Sequence, residues 1–331
     1  MELIHLWICL VGLVILLYVV LDGFSLGVAL LFPTAQDETE RDILMNSIAP
    51  VWDANQTWLV FGGGALFASF PVMYSVLFSA LYIPLLSFIF GLIFRGVAFE
   101  FRANSTRKTP WNRAFFWGSL TAVFAQGVAL GGFLSGTKVV DLQFAGGPFD
   151  WLNPFSIMVG LALISGYMLL GSTYLLIKTT GTAQDRAYRQ AYRSAMMVAG
   201  FMVLVSIWTP QHDPAYVARW LSPPRLYFIW IFPLLGAVAF LSLLKSIKGR
   251  KENQPFFWSV LLFLSAYLGL LAALYPNVIP PGVTLYDAAA QRETLIFTLW
   301  GAGLVLPAVL GYTGYSYWVF RGKVQPGEGY H

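Results

Sequence analysis

Five ionisable residues stand inside or at the edges of long apolar runs, where a charge is costly and is a functional candidate by default. Asp22 is the only charged residue between His5 and Asp37, Asp53 follows Pro50 at the start of a second run, and Arg95, Glu100 and Arg102 close a third. At ~1.5 Å rise per residue, Asp22 lies ~27 Å along its helix from Ile4, near the end that leads into residues 34–50. The second helix starts on that side and the third ends there, so the five groups share one membrane depth. Arg95 and Arg102 are seven apart and share a helix face, whereas Glu100 points elsewhere.

Two chemistries fit these residue types. Carboxylates beside an arginine can hold and pass protons where water reaches them. Asn55, Gln56 and Thr57 extend a hydrogen-bonding path along the second helix, and Gln126 adds a polar group in the fourth. The same residues can be purely structural. Asp22 or Asp53 neutralising Arg95 pins helices together, Asp53 complements a helix N-terminus, and Glu100 and Arg102 extend to the headgroups. The residues alone leave both readings open.

The elements that position these groups follow from composition. Of 331 residues, 57% are hydrophobic and 11% charged, against about 25% charged in a soluble domain. The mean hydropathy is +0.66. This is the composition of an all-α polytopic membrane protein, a single transmembrane domain over 1–331. The net charge of +4 carries little weight, because the basic residues cluster in particular loops, and nucleic acid is not an expected partner. Taking about 20 apolar residues per crossing, the chain divides into spans at 4–31, 51–69, 71–101, 114–136, 154–178, 188–209, 225–246, 255–275 and 294–320. Phe70-Pro71 separates the second from the third, since proline ends one helix and opens the next. With this division fifteen Lys and Arg fall on one side and four on the other, with Arg95 inside a span. The positive-inside rule then places the N-terminus outside and the C-terminus in the cytoplasm. The first run has no basic flank before it and is too long for a signal peptide, so it reads as a retained span.

Cys9 is the only cysteine, and the histidines are His5, His212 and His331. None lies deep in a span, and the buried methionines Met158, Met168 and Met202 have no histidine at helical spacing. An axial-ligand pair for a membrane haem is therefore not expected on this chain. Gly23, Gly27 and the Gly62–Gly64 run read as close-packing positions, and Trp7, Trp58, Trp111, Trp117, Trp151 and Trp318 read as an interfacial belt. A proton-coupled transporter is the rival class. The lack of an internal repeat and of a broken helix at the midplane speaks against it.

The stretches "LDGFSLGVALLFP", "RDILMNSIAPVWDANQTWLVFGGGALFASFPVMYSVLFSALYIPL" and "LIFRGVAFEFR" resemble subunit II of the cytochrome bd quinol oxidases. "WLNPFSIMVG", "GSTYLLIKT", "LYPNVIPP", "TLYDAAAQRETLIF" and "GYSYWVF" continue the resemblance in order along the chain. The short loops resemble the cyanide-insensitive branch. The resemblance implies nine helices in two four-helix bundles plus one peripheral helix, in the bacterial cytoplasmic membrane. It implies a haem-bearing subunit I as partner, carrying haems b558, b595 and d and oxidising quinol as dioxygen is reduced to water. A small single-helix subunit and a structural quinone or lipid are further expected partners. Carried over by residue, Asp53 matches a position tied to a proton route, and Arg95 matches the arginine of an "FRP" motif, here followed by Gly96. Glu100 matches the acid of "GFDYR", and Asp22 the first carboxylate of "DGFD", whose second is Ser25 here. A serine can relay a proton through water but cannot store one.

Overall fold

A computed structural model describes residues 1–212, 223, 225–324 and 327. Arg219 and His331, which entered the sequence argument, lie outside these residues. Eight helices of the described residues are long and apolar enough to cross a membrane, or up to nine if one sharply bent pair counts as a span.

Helix α1 (Glu2–Leu31) is the centre of the assembly. Thirty residues reach ~45 Å, more than the ~30 Å hydrocarbon core needs. Every residue from Asp22 to Leu31 is buried. Helix α2 (Glu38–Ile48) is short and amphipathic, capped by Asp37, whose carboxylate accepts from the Glu40 amide at 2.8 Å. Helix α3 (Trp52–Ser69) is followed by α4 (Pro71–Ala80), turned by 120° at Phe70. Helix α5 (Tyr82–Ala103) then returns to the side where α2 lies.

The run 71–101, expected as one helix, is thus divided at Leu81. Pro84 explains the division. Inside a continuous helix its ring would clash with the Ala80 carbonyl and leave it unbonded, whereas in a first turn the missing N–H costs nothing. The sequence repeats the device. The run expected at 225–246 divides at Trp230 into α9 (Arg225–Ile229) and α10 (Ile231–Lys248), with Pro233 in the first turn of α10. The other crossings are α6 (Lys108–Leu134), α7 (Pro154–Lys178), α8 (Gly181–His212), α11 (Gln254–Leu274) and α13 (Arg292–Val319). Between them, on the face opposite α2, lie the hairpins β1–β2 (Val139–Val140, Gln143–Phe144) and β3–β4 (Asn277–Ile279, Val283–Thr284) and the short α12 (Leu285–Ala288). Backbone bonds from Thr137 to Pro280 and from Ala290 to Ser69 tie that face together.

Glycines let the helices meet backbone to backbone, as small residues do in membranes. A Cβ on Gly27 of α1 would come within 1.8 Å of the Tyr167 carbonyl oxygen on α7, and one on Gly118 of α6 would meet Gly91 of α5 at 2.8 Å. Gly63 and Gly64 of α3 behave otherwise: within this chain, a side chain there would meet nothing within 4 Å. Helix α13 is also loosely held, with only Leu295, Ala302 and Ser316 buried.

Candidate functional site

Asp22 and Arg95 meet in the middle of this helix packing. The Gly91–Gly118 contact brings α5 against α6, and Arg95, one turn further along α5, reaches α1. Its Nη1 donates to Asp22 Oδ1 at 2.8 Å, with both side chains at 0% exposure. The guanidinium carbon sits 5.9 Å from the Trp52 ring centre on α3, and Trp52 stacks in turn on Phe99 at 4.9 Å.

The pair is incompletely satisfied. Asp22 Oδ2, Arg95 Nε and Arg95 Nη2 are buried with no hydrogen-bond partner among the described residues, and the Tyr18 hydroxyl, without a hydrogen bond of ordinary geometry, lies close enough to interact with the Asp22 carboxylate. Tyr18 lies one turn before Asp22 on α1, so its hydroxyl faces the carboxylate. Tyr167, from α7, is also near enough to feel the Asp22 charge; its hydroxyl donates to Gln126 Oε1 of α6 at 3.1 Å. A buried charge pair is favourable only when its spare donors and lone pairs are met. Polar gaps of this kind are where proteins hold internal water. The arrangement leaves open polar atoms beside a carboxylate that a fixed guanidinium holds in place.

Ser25 and Asn55 form a separate, completed contact. Asn55 Nδ2 donates to the Leu21 carbonyl at 2.8 Å and to Ser25 Oγ at 3.1 Å, and its Oδ1 accepts from the Tyr317 hydroxyl at 2.9 Å. It joins α3 to α1 and α13 with both amide hydrogens used and one Oδ1 lone pair taken. Gln56, one turn past Trp52, is half-buried with Nε2 unpartnered.

Asp53 and Glu100 do not join Asp22 and Arg95. Both are exposed, and among the described residues no hydrogen bond or ion pair holds either one. The reason is helical phase. Asn55, Trp58 and Gly62 mark the buried face of α3, and a residue two positions from Asn55 lies on the other side. Asp53 sits in the first turn of α3, where its charge complements the helix dipole.

Arg102 does not extend to the headgroups as expected. Its guanidinium donates to Asp42 at 2.6 Å, Glu38 at 2.9 Å and Asn112 at 2.6 Å, and its side chain is 4% exposed. Lys108 also pairs with Asp42 at 3.0 Å. From the other side, Arg186 of α8 donates to Glu40 at 2.9 Å and to the Thr34 carbonyl at 2.7 Å. These acids of α2 were not singled out by sequence, though Glu38 and Asp42 at i and i+4 mark one helix face. Among the described residues, no three His, Cys, Asp or Glu side chains are grouped to hold a metal ion.

Comparison with known proteins agrees with this architecture. Residues 3–320 match the family described as cytochrome bd terminal oxidase subunit II. The chain is 30% identical to cytochrome bd-I ubiquinol oxidase subunit 2 of Escherichia coli (strain K12), covering 96% of this chain and 94% of that protein. It is 29% identical to cytochrome bd ubiquinol oxidase subunit 2 of Bacillus subtilis (strain 168), covering 98% and 97%. The structure of bd oxidase from Geobacillus thermodenitrificans includes a chain of the same fold, with a TM-score of 0.79 at 18% identity over 97% of this chain and 99% of that one. A helical, multi-span chain matched along nearly its whole length therefore belongs to the cytochrome bd terminal oxidase subunit II family.

Proposed function

We propose that this chain is the haem-less second subunit of a quinol oxidase, and that Asp22 with Arg95 forms the buried part of a proton-uptake route. As a subunit II of cytochrome bd oxidase, the chain is part of a respiratory quinol oxidase in a bacterial membrane. The reaction reduces dioxygen to water and consumes protons. The observation that carries the proton reading is the buried ion pair with three unmet polar atoms. Water reaching Asp22 would let its carboxylate accept and pass a proton, while Arg95 keeps the carboxylate in place. Asp53, exposed on the first turn of α3, serves as an acceptor at the surface of the chain. Glu100, exposed near the end of α5, is a second surface acid on that side. The basic face is cytoplasmic in this reading, by the excess of Lys and Arg there.

Among the described residues, nothing is grouped to hold the family's haems. A haem needs axial donors facing one cavity. His5, the only histidine with a described side chain, is half-buried near the start of α1 and donates to the Met1 carbonyl at 2.9 Å, with Tyr275 and Tyr286 around it. The redox chemistry therefore belongs to a haem-bearing subunit I. Helices α3 and α13 touch each other and form the face that meets it. Gly63, Gly64, Gly301, Gly303, Gly311 and Gly314 open onto free space there, a surface suited to close helix packing. Helix α13 is the peripheral helix of this arrangement.

The test is Asp22→Asn in the co-expressed complex. The amide keeps size and hydrogen bonding but cannot carry a proton. The amide leaves the Arg95 charge buried without its counter-ion, so less complex is expected to accumulate. Normalised to haem content, the assembled fraction is expected to consume oxygen roughly ten-fold or more slowly, the scale of a lost proton-transfer group. Unchanged turnover would remove Asp22 from the route. Loss of the complex would make the pair a structural pin.

A further inference from the structure

We propose that the groove between α8 and α10 at the basic face binds the headgroup of an anionic phospholipid. The groove measures about 290 Å³ and is lined by Tyr188, Arg189, Tyr192 and Arg193 of α8 and by Ile247 of α10. Arg189 and Arg193 are exposed and stand one helical turn apart on one face. Like charges at that spacing repel and weaken a helix, so their placement calls for an anion between them.

No acid of the described residues supplies one. Asp185 is bound to Arg250, Glu252 to Lys323 and Gln184, and Glu40 to Arg186. Lys245 and Lys248, near the end of α10, are exposed and equally unpaired. Arg250 closes one end of the groove by lying over the Tyr188 ring at 4.8 Å. Arg189 and Arg193 are two cations without an ion pair at one cavity, and basic pockets between membrane helices are sites of anionic headgroups.

The wall further along α8 decides for a lipid over a free phosphate. On α8, in line with the arginines, Met196, Met197, Val203 and Leu204 are 41–58% exposed. They give two acyl chains an apolar surface running from the arginines into the bilayer. Tyr192, 41% exposed, stands at the boundary, where a ring with a hydroxyl is suited to both sides.

The experiment uses the purified oxidase complex, stripped of lipid in a neutral detergent and titrated with phosphatidylglycerol, phosphatidylcholine or inorganic phosphate under native mass spectrometry. Wild type is expected to retain phosphatidylglycerol in a salt-sensitive manner and to ignore phosphatidylcholine. At roughly five-fold per arginine, R189Q/R193Q is expected to bind phosphatidylglycerol about 25-fold more weakly, and R189K/R193K to lose far less. Arg193 is exposed, so the single variant R193Q reports its five-fold share if the double variant does not assemble. Unchanged retention in the Gln variants overturns the proposal. So does equal binding of phosphatidylcholine, and so does inorganic phosphate competing at the concentration of the lipid, which would make the groove a free-phosphate site.

Discussion

Arg95 and Arg102 stand two turns apart on one face of α5, and both are withdrawn from solvent, yet their surroundings differ in kind. Arg102 has each nitrogen engaged, by two carboxylates and an amide, and those carboxylates are 43% and 38% exposed. Arg95 has one partner, and two of its three nitrogens have none. A guanidinium offers five donors in a fixed fork. Saturating them makes a structural clamp, here the one that fixes α2. Leaving them open, next to a carboxylate that is also half-satisfied, makes a place for water. The contrast separates a residue that holds the fold from one suited to chemistry, although both are buried arginines paired to aspartate.

Stability measurements can break this contrast. Arg95→Ala leaves the Asp22 carboxylate buried and alone, and stranding one member of a buried pair costs about 3–5 kcal/mol. The expected outcome is little or no assembled complex in membranes, read by haem absorbance and by blotting for both subunits. Arg102→Ala strands only carboxylates that water already reaches, so the loss is nearer 2 kcal/mol, on the scale of a hydrogen bond to a charged group. The complex should assemble, melt a few degrees lower, and exchange the amides of α2 faster. Equal losses from the two substitutions would show that saturation does not distinguish the sites.

Asp53→Asn sharpens the comparison at the surface. Asp53 is exposed and without a partner, so its stability effect should stay within about 0.5 kcal/mol. Oxygen consumption is expected to fall, by less than for Asp22→Asn, because water can bypass an exposed acceptor. A larger fall for Asp53 than for Asp22 would move the limiting step from the buried pair to the surface.

Much of this was legible in sequence, and what was missed has particular causes. The crossings follow from apolar length and the placement of Lys and Arg. The depth shared by Asp22 and Arg95 follows from counting residues along two helices. Pro84 and Pro233 were both visible, and each marks a first turn that the long apolar runs concealed. The separation of Asp53 from the pair was also present in the helical phase of Asn55, Trp58 and Gly62. It was obscured because shared depth says nothing about azimuth. The clamp of Arg102 on Glu38 and Asp42 spans some sixty residues, and only the fold discloses it. The open donors of Arg95 are likewise a property of packing, since no residue pattern records the absence of a neighbour.

A weaker clamp, on the C-terminal segment, extends the comparison to an exposed site. Lys323 donates to Glu252 at 2.8 Å and to the Thr179 carbonyl at 3.3 Å, while the Val324 amide donates to the Lys178 carbonyl at 2.9 Å. The hydrogen bond from Lys323, followed by that from Gln184, holds the Glu252 carboxyl below the usual glutamate value. A lowered folded value means the carboxylate contributes its stability above the unfolded pKa of about 4.3 and loses it as pH falls through the folded value. Above pH 5 the latch should therefore be insensitive to pH, and below about pH 4 it should loosen. The backbone bonds do not titrate and limit the change to a few-fold in Val324 protection against hydrogen exchange, corrected for intrinsic rates. Because Glu252 is largely exposed, added salt should weaken the latch at neutral pH in the same direction. Glu252→Gln should abolish the acid response while leaving Asp22-dependent turnover unchanged. A pH response that survives that substitution would place the titrating group elsewhere on the basic face.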